Sequence, residues 1–243
     1  MTTDIVIPVW NQSDATIRCL ESVAKNTSDY RVIIINNGSD AREVDAIRDA
    51  LTRLEITNDW ISFEDNRGFS VAINAGLRLS TSDPVILMNN DVTVPPRWLD
   101  KMRAHVARYR FSGIIGVLQD AGRINHYQRF YGDMLFPFEE VNAKPESIRK
   151  ILHSCVPFSL VAMRREMIRH VGYLDEEFSP CLAEDDDYCD RARLAGWDTV
   201  LMTNILIHHD HRTSVKLIPD HEKIHKRNTN LYLAKRSARR IKK

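Results

Sequence analysis

The chain has 243 residues, with 34 basic against 33 acidic side chains and 43% hydrophobic residues. That length can bury a sizeable core as one large domain or two small ones, and the near-cancelled charge excludes a polycation built as a whole for nucleic acid. No stretch approaches the roughly 18 apolar residues of a membrane span, the start Met1-Thr2-Thr3-Asp4 has no basic or apolar leader, and Cys19, Cys155, Cys181 and Cys189 form no CxxC pair, so a reducing compartment, the cytoplasm, is the simplest reading.

Ile5–Val9 reads as a short buried strand. Ser13–Ala24 follows with helical spacing at Ile17, Leu20 and Val23, with Ser13 or Asp14 as the expected cap. Arg31–Ile35 is a second strand, broken by Asn36-Asn37-Gly38-Ser39-Asp40, and helical spacing returns at Val44, Ile47 and Leu51. Trp60–Phe63 reads as a strand, Phe69–Leu79 as a helix and Val85–Met88 as a fourth strand. This alternation predicts βαβ units and a mostly parallel sheet.

Beyond Asp91 the rhythm loosens. A helix is expected over Trp98–Tyr109, a strand over Gly113–Leu118 and an irregular acceptor-side loop or lid over 119–152. A strand at Ser159–Met163, a helix from near Arg165, a helix over Glu184–Ala195 stopped by Gly196 and a strand over Thr199–Ile207 follow. Residues 219–243 read as a basic helical tail, and Lys216 to Lys243 holds ten Lys or Arg against Asp220 and Glu222, a local balance of +8.

One strand-end run and five further groups carry candidate chemistry. The run Asn89-Asn90-Asp91 ends the fourth strand. The carboxyl ends of strands are where open α/β sheets bind ligands, and a hard cation on a diphosphate needs only one or two carboxylates from the protein. The plain alternative is a strand-end turn. Pro8, Trp10 and Asn11 end the first strand, where the indole could stack on a base and the amide could bond it. Asn36, Asn37 and Gly38 end the second strand, and short polar side chains there suit a nucleobase edge. Asn66, Arg67 and Gly68 precede a helix that carries Asn74; a glycine at a helix start leaves N–H groups for phosphate, and Arg67 adds a fixed positive charge.

The fourth group is Glu184-Asp185-Asp186-Asp187, four acids at a helix start. One or two would serve the helix dipole. Four repel one another and raise the affinity of some for protons, which suits a general base. The fifth is His208-His209-Asp210-His211, where strand alternation puts His209 and His211 on the face of Ile205 and Ile207 and His208 opposite. A strand-end histidine is a plausible partner to a cation already held by Asp91.

Together these pieces resemble family 2 glycosyltransferases of the GT-A fold, especially the rhamnosyltransferase-like branch. The order is IVIPVWN (5–11), IIINNGSD (33–40), NRGFSVAINAG (66–76), ILMNNDV (86–92) and PPRWL (95–99), then VGYLDEEF (171–178), EDDDYCDRARLAGW (184–197), a histidine after a short strand and KRNTNLYLAKR (226–236). The resemblance implies a Rossmann-like central sheet flanked by helices, a nucleotide-diphosphate-sugar donor of UDP or dTDP type, a divalent cation (Mn or Mg) and inversion at the anomeric carbon. It makes Asp91 the metal carboxylate of a DXD-like motif whose first acid is replaced by Asn89, Asp185 the catalytic base and His209 a metal ligand, with His208 and His211 close enough to stay in play. Glu184 and Asp187 then shape the acceptor pocket or position the base, and Pro8, Trp10, Asn11, Asn36, Asn37, Gly38, Asn66, Arg67, Gly68, Asn74, Asn89 and Asn90 fall on the donor side. Asn36 stands where the family often has Asp, which leaves the nucleobase open.

The expected organisation is a single catalytic domain over 1–215, with a nucleotide-sugar half at 1–92 and an acceptor half at 93–215, then the basic tail at 216–243. The acceptor is expected to be a glycan, a lipid-linked glycan or another hydroxyl. The tail could rest on the inner face of an anionic membrane or touch nucleic acid, making modified DNA bases an alternative acceptor. A catalytically inactive sugar-nucleotide-binding module and a nucleotidyltransferase are the other readings, and a partner or dimer could complete the acceptor site.

Overall fold

The computed structural model describes residues 2–120, 138–151, 155–210 and 220–241. The first half is a strict alternation: β1 (Thr3–Val9), α1 (Ser13–Asn26), β2 (Tyr30–Asn37), α2 (Ala41–Arg53), β3 (Asn58–Phe63), α3 (Phe69–Leu79) and β4 (Val85–Met88). β1 pairs in parallel with β2 and β4, and β2 pairs in parallel with β3. Successive side chains alternate between the faces. Ile5, Ile7, Val9 and Ile34 pack under α1, α2 and later α4. Val6, Ile33 and Ile35 pack against Ala72, Ile73 and Leu77 of α3. Burial on both faces explains why these strands read as unbroken apolar runs.

The second half holds β5 (Val92–Thr93), α4 (Trp98–Arg108), β6 (Ser112–Asp120), α5 (Phe138–Ala143), β7 (Ile148–Lys150), β8 (Leu160–Met163), α6 (Arg165–Val171), a 3₁₀ turn (Glu176–Phe178), α7 (Glu184–Leu194), β9 (Asp198–His209) and α8 (His221–Ile241). The strand order is β3-β2-β1-β4-β8-β6-β9-β5, with β7 also on β9. β8 runs antiparallel to β4 and β6, while β6 and β9 form a long parallel ladder. The result is one mixed, mostly parallel sheet between helical layers.

Two local expectations need correction. The cap of α1 is neither Ser13 nor Asp14: Gln12 precedes the helix in a left-handed conformation, and the Ser13 N–H donates to Glu43 Oε2 of α2 at 2.6 Å. The segment 119–152 is not uniformly irregular, because β6 runs on to Asp120 and α5 and β7 both dock on β9. Residues 121–137 and His211 lie outside the described residues. Asp210 N–H donates to Asp91 O at 3.0 Å beside the two-residue strand β5, a pairing with no periodicity long enough to announce it.

Candidate active site

The carboxyl ends of β1, β2 and β4 meet at one rim of the sheet. Asn11 and Asn36 knit that rim together: Asn11 N–H donates to Ser39 Oγ (2.8 Å), Asp40 N–H to Asn11 Oδ1 (2.9 Å) and Ser39 N–H to Asn36 Oδ1 (3.0 Å). Pro8 and Trp10 are half-buried there. Gly38 has φ +79°, and a Cβ on it would sit 2.4 Å from the Asp65 carbonyl carbon, so this turn tolerates only glycine.

The Asn66-Arg67-Gly68 turn is not the open phosphate cradle that its sequence predicts. Arg67 N–H donates to Asn37 Oδ1 (2.9 Å), Gly68 N–H to Asn66 Oδ1 (2.9 Å) and Phe69 N–H to Pro180 O (2.7 Å). Each of these three amides is committed inside the protein. What the turn offers outward is the exposed Arg67 guanidinium, 5.0 Å from the centroid of Phe63. Asn37 is likewise spent, its Nδ2 bonding Asn66 Oδ1 at 2.9 Å. Asn74 also departs from a donor contact: it is buried, its Nδ2 donates to Leu174 O (2.9 Å) and Glu176 Oε1 (2.8 Å), and its Oδ1 accepts the Leu174 N–H (2.9 Å). Asn90 is buried against α1, donating to Thr16 Oγ1 at 2.9 Å.

Asp91 and His209 do meet. β5 pairs Val92 with His209, and Asp91 Oδ1 lies 3.1 Å from His209 Nε2, with side chains only 7% and 8% exposed. Asn89 Nδ2 is 3.5 Å from the same nitrogen. A register shift between Val117 and Leu118 sets Gln119 beside Ile207, and Gln119 Oε1 lies 3.0 Å from His209 Nδ1. An amide oxygen only accepts, so it takes the Nδ1 proton and fixes the ring with Nε2 turned toward Asp91. His209 Nε2 and Asp91 Oδ1 pair directly, as an ion pair when the ring is protonated. A carboxylate oxygen and an imidazole nitrogen suit Mn or Mg, with the remaining positions left to phosphate and water. His208 points the other way and stacks on Phe138 with centroids 4.2 Å apart.

The four acids of α7 have four different surroundings. Asp185 sits beside Asp186 and Cys155, whose ligand atoms all lie within 4.8 Å of one another, and its Oδ1 accepts the Asp186 N–H at 2.9 Å. Burial first, then the Asp186 charge, pushes the Asp185 carboxyl above the ordinary range. Glu184 is buried, Oε2 has no hydrogen-bond partner, and burial followed by the Asp185 charge pushes it up as well. Asp187 is fully buried and faces away from them, gripping Arg191 Nε at 2.8 Å and Arg239 at 2.6 Å. It holds α8 rather than shaping a pocket with Glu184 and Asp185.

Sequence reasoning missed the connectors. Ser159 Oγ donates to Gln119 Oε1 (2.6 Å), and its carbonyl accepts the Asn89 N–H (2.8 Å). Cys155, four residues earlier, flanks Asp185. Four residues reach at most about 14 Å, so one short segment ties the Asp91 end of the site to the Asp185 end. The polar Gln119 after the apolar run Gly113–Leu118 is the one signal that could have flagged this shell.

Residues 4–172 match the model of glycosyl transferase family 2, so the chain belongs to that family. It is 27% identical over 217 residues to a pre-mycofactocin glycosyltransferase of Mycobacterium tuberculosis, covering 87% of this chain and 43% of that protein. The chain thus spans less than half the length of this curated relative. Among solved structures it resembles GalNAc-T7 with UDP, GalNAc and Mn²⁺ (TM-score 0.73, 16% identity, 88% of this chain and 44% of that one). It also resembles the mannosyltransferase PcManGT of Pyrobaculum calidifontis with GDP-Man and Mn²⁺ (TM-score 0.68, 14% identity, 99% and 64%). The fold is therefore GT-A.

Proposed function

We propose that this chain is the catalytic unit of an inverting glycosyltransferase that moves a sugar from a nucleotide-diphosphate donor to an acceptor hydroxyl. The observation that carries the reading is the Asp91–His209 pair at 3.1 Å, tied through Gln119 and Ser159 to a half-buried carboxyl, Asp185, whose proton affinity is raised. Asp91 and His209, with Asn89 beside them, would hold a divalent cation. That cation supplies charge neutralisation for the departing diphosphate. Relatives seen with UDP, GDP-Man and Mn²⁺ support the same pairing of nucleotide sugar and metal.

On the donor side, Pro8, Trp10, Asn11 and Asn36 stand at the ends of β1 and β2, and this reading assigns the base to that rim, with the indole as stacking surface. Arg67 adds a fixed charge toward the diphosphate. Asp185 accepts the proton of the acceptor hydroxyl as that oxygen bonds to the anomeric carbon. The bond from that carbon to the phosphate oxygen breaks on the opposite face, and the nucleoside diphosphate leaves with the electron pair. The raised proton affinity of Asp185 makes it a stronger base than an exposed aspartate. A cation between Cys155, Asp185 and Asp186 would block that role, which favours the strand-end pair as the metal site.

UDP and dTDP sugars are the first donors to test, deoxyhexoses included, because the motif string resembles the rhamnosyltransferase-like branch. A glycan or lipid-linked glycan is the proposed acceptor. Lys235, Arg236 and Arg239 of the basic helix pair with carboxylates of the same chain, which weakens the case for nucleic acid or an anionic membrane as its partner. Among the described residues no helix is long and apolar enough to cross a membrane. Asp185→Asn should bind donor as the wild type does and lose turnover by on the order of 10²–10⁴; sugar transfer at the wild-type rate by this variant would remove Asp185 from the chemistry.

A further inference from the structure

The segment between Phe178 and Glu184 links the two sides of the site and cannot hold its own shape. Leu182 and Ala183 both take positive φ, +79° and +70°, without being glycine. Ala183 begins α7 with no side-chain cap. Residues in such conformations persist only where their surroundings over-determine them. At its other end the segment meets the donor-side turn. Phe69 N–H donates to Pro180 O (2.7 Å), Ser179 Oγ donates to Arg67 O (3.2 Å), and a Cβ on Gly68 would come within 2.6 Å of Ser179 Oγ.

What holds the segment comes from α8. Asn228 is fully buried, and its Nδ2 donates to the carbonyls of Phe178 (2.6 Å), Cys181 (2.7 Å) and Leu182 (3.1 Å). Arg227 bonds the remaining carbonyl of Ser179 and fixes the Asn228 amide by donating from Nε to Oδ1 at 2.9 Å. Two adjacent side chains thus engage four carbonyls just ahead of Glu184 and Asp185, the two Asn228 amide protons being shared among three of them. Ion pairs further along, Lys235 with Asp175 (2.5 Å), Arg236 with Asp190 (3.1 Å) and Arg239 with Asp187 (2.6 Å), dock the helix that carries them.

We infer that Asn228, oriented by Arg227, is a positioning residue that sets Asp185 against the Arg67 turn by clamping the Phe178–Ala183 segment. This rests on Asp185 being the base. The clamp touches neither donor nor acceptor in this account; it acts through backbone. Asn228→Asp is the discriminating variant, because it keeps shape and the Arg227 contact while losing both donated protons. Asn228→Ala is the second, and Leu233→Ala, on the exposed side of the same helix, is the control.

Two readouts are taken on the full chain with Mn²⁺: amide hydrogen exchange over residues 178–186, and the pH dependence of turnover of UDP-glucose, UDP-N-acetylglucosamine, dTDP-rhamnose and GDP-mannose, transfer to water included. Both Asn228 variants should exchange faster in that window while Leu233→Ala does not. They should lower kcat on the order of 10–100-fold with little change in donor KM, and the acidic limb of the profile should move toward lower pH as the base gains solvent. Unchanged exchange overturns the clamp. Faster exchange with an unmoved kcat and acidic limb makes Asn228 a structural residue only and overturns its positioning role. If the wild type turns over none of the four donors, the transferase reading fails on its own, and the exchange result still decides whether Asn228 holds the segment.

Discussion

The two halves of this molecule place their functional residues by different physics. In the first, β1 to β4 are parallel and each strand end hands its polar residues to one rim, so a motif and its position come from the same short stretch of chain. In the second, several site residues are set by partners far away in sequence. His209 is held to Asp91 through β5, Gln119 reaches it after a register shift, and the acids of α7 are sorted by α8. The lesson is that residue type at a strand end places a residue at the rim, while long-range partners decide what its polar atoms are left to do.

The acidic run shows this most sharply, and its members separate by experiment. Asp187 is fully buried between Arg191 and Arg239. Asp187→Ala should therefore cost on the order of 3–5 kcal/mol, read as a loss in urea midpoint. Arg18→Ala, from a pair more than half exposed on both sides, should cost nothing measurable. Equal losses would mean that the α7–α8 contact is no stronger than a surface pair.

A smaller effect tests the shell of the Asp91–His209 pair. Gln119→Leu removes the acceptor that keeps the proton on His209 Nδ1. Metal-dependent nucleotide affinity should fall on the order of 10–100-fold with the fold intact by circular dichroism. Unchanged affinity would leave the histidine oriented by something other than Gln119.

The smallest effect is the pH dependence of stability. The carboxyls of Glu184 and Asp185 bind protons more readily when folded than when unfolded. Their contribution is complete at the acidic end, below the ordinary carboxylate range, and declines as pH rises from there through the raised values. Glu184→Gln should match the wild type near pH 4 and exceed it above pH 8 by on the order of 1 kcal/mol. A melting temperature that falls with pH as steeply in the variant would assign the slope to other groups.

Much of this was legible in the chain. The apolar runs gave β1, β2 and β4 because burial on both faces demands them, and Phe69–Leu79 and Val85–Met88 match the expected spans. Asp91 and His209 were legible as strand-end residues, and the structure sets them 3.1 Å apart. The Arg67 turn misled because a glycine before a helix implies spare N–H groups, and nothing local reveals that Asn37, Asn66 and Pro180 consume them. The basic tail misled in the same way: its charge looked outward in sequence, yet Lys235, Arg236 and Arg239 answer acids of the 3₁₀ turn and α7. Asn228 and Ser159 were unremarked because a polar residue's partners are long-range and leave no periodicity.

The central claim is that Asp91 and His209 make a metal-dependent donor site. The direct test is calorimetric binding of UDP, dTDP, GDP, ADP and CDP, each with and without Mn²⁺, to the wild type and to Asp91→Ala. The account predicts tight binding of one nucleotide that requires both the metal and Asp91. Binding indifferent to metal and to Asp91, or no binding of any of the five, would contradict it.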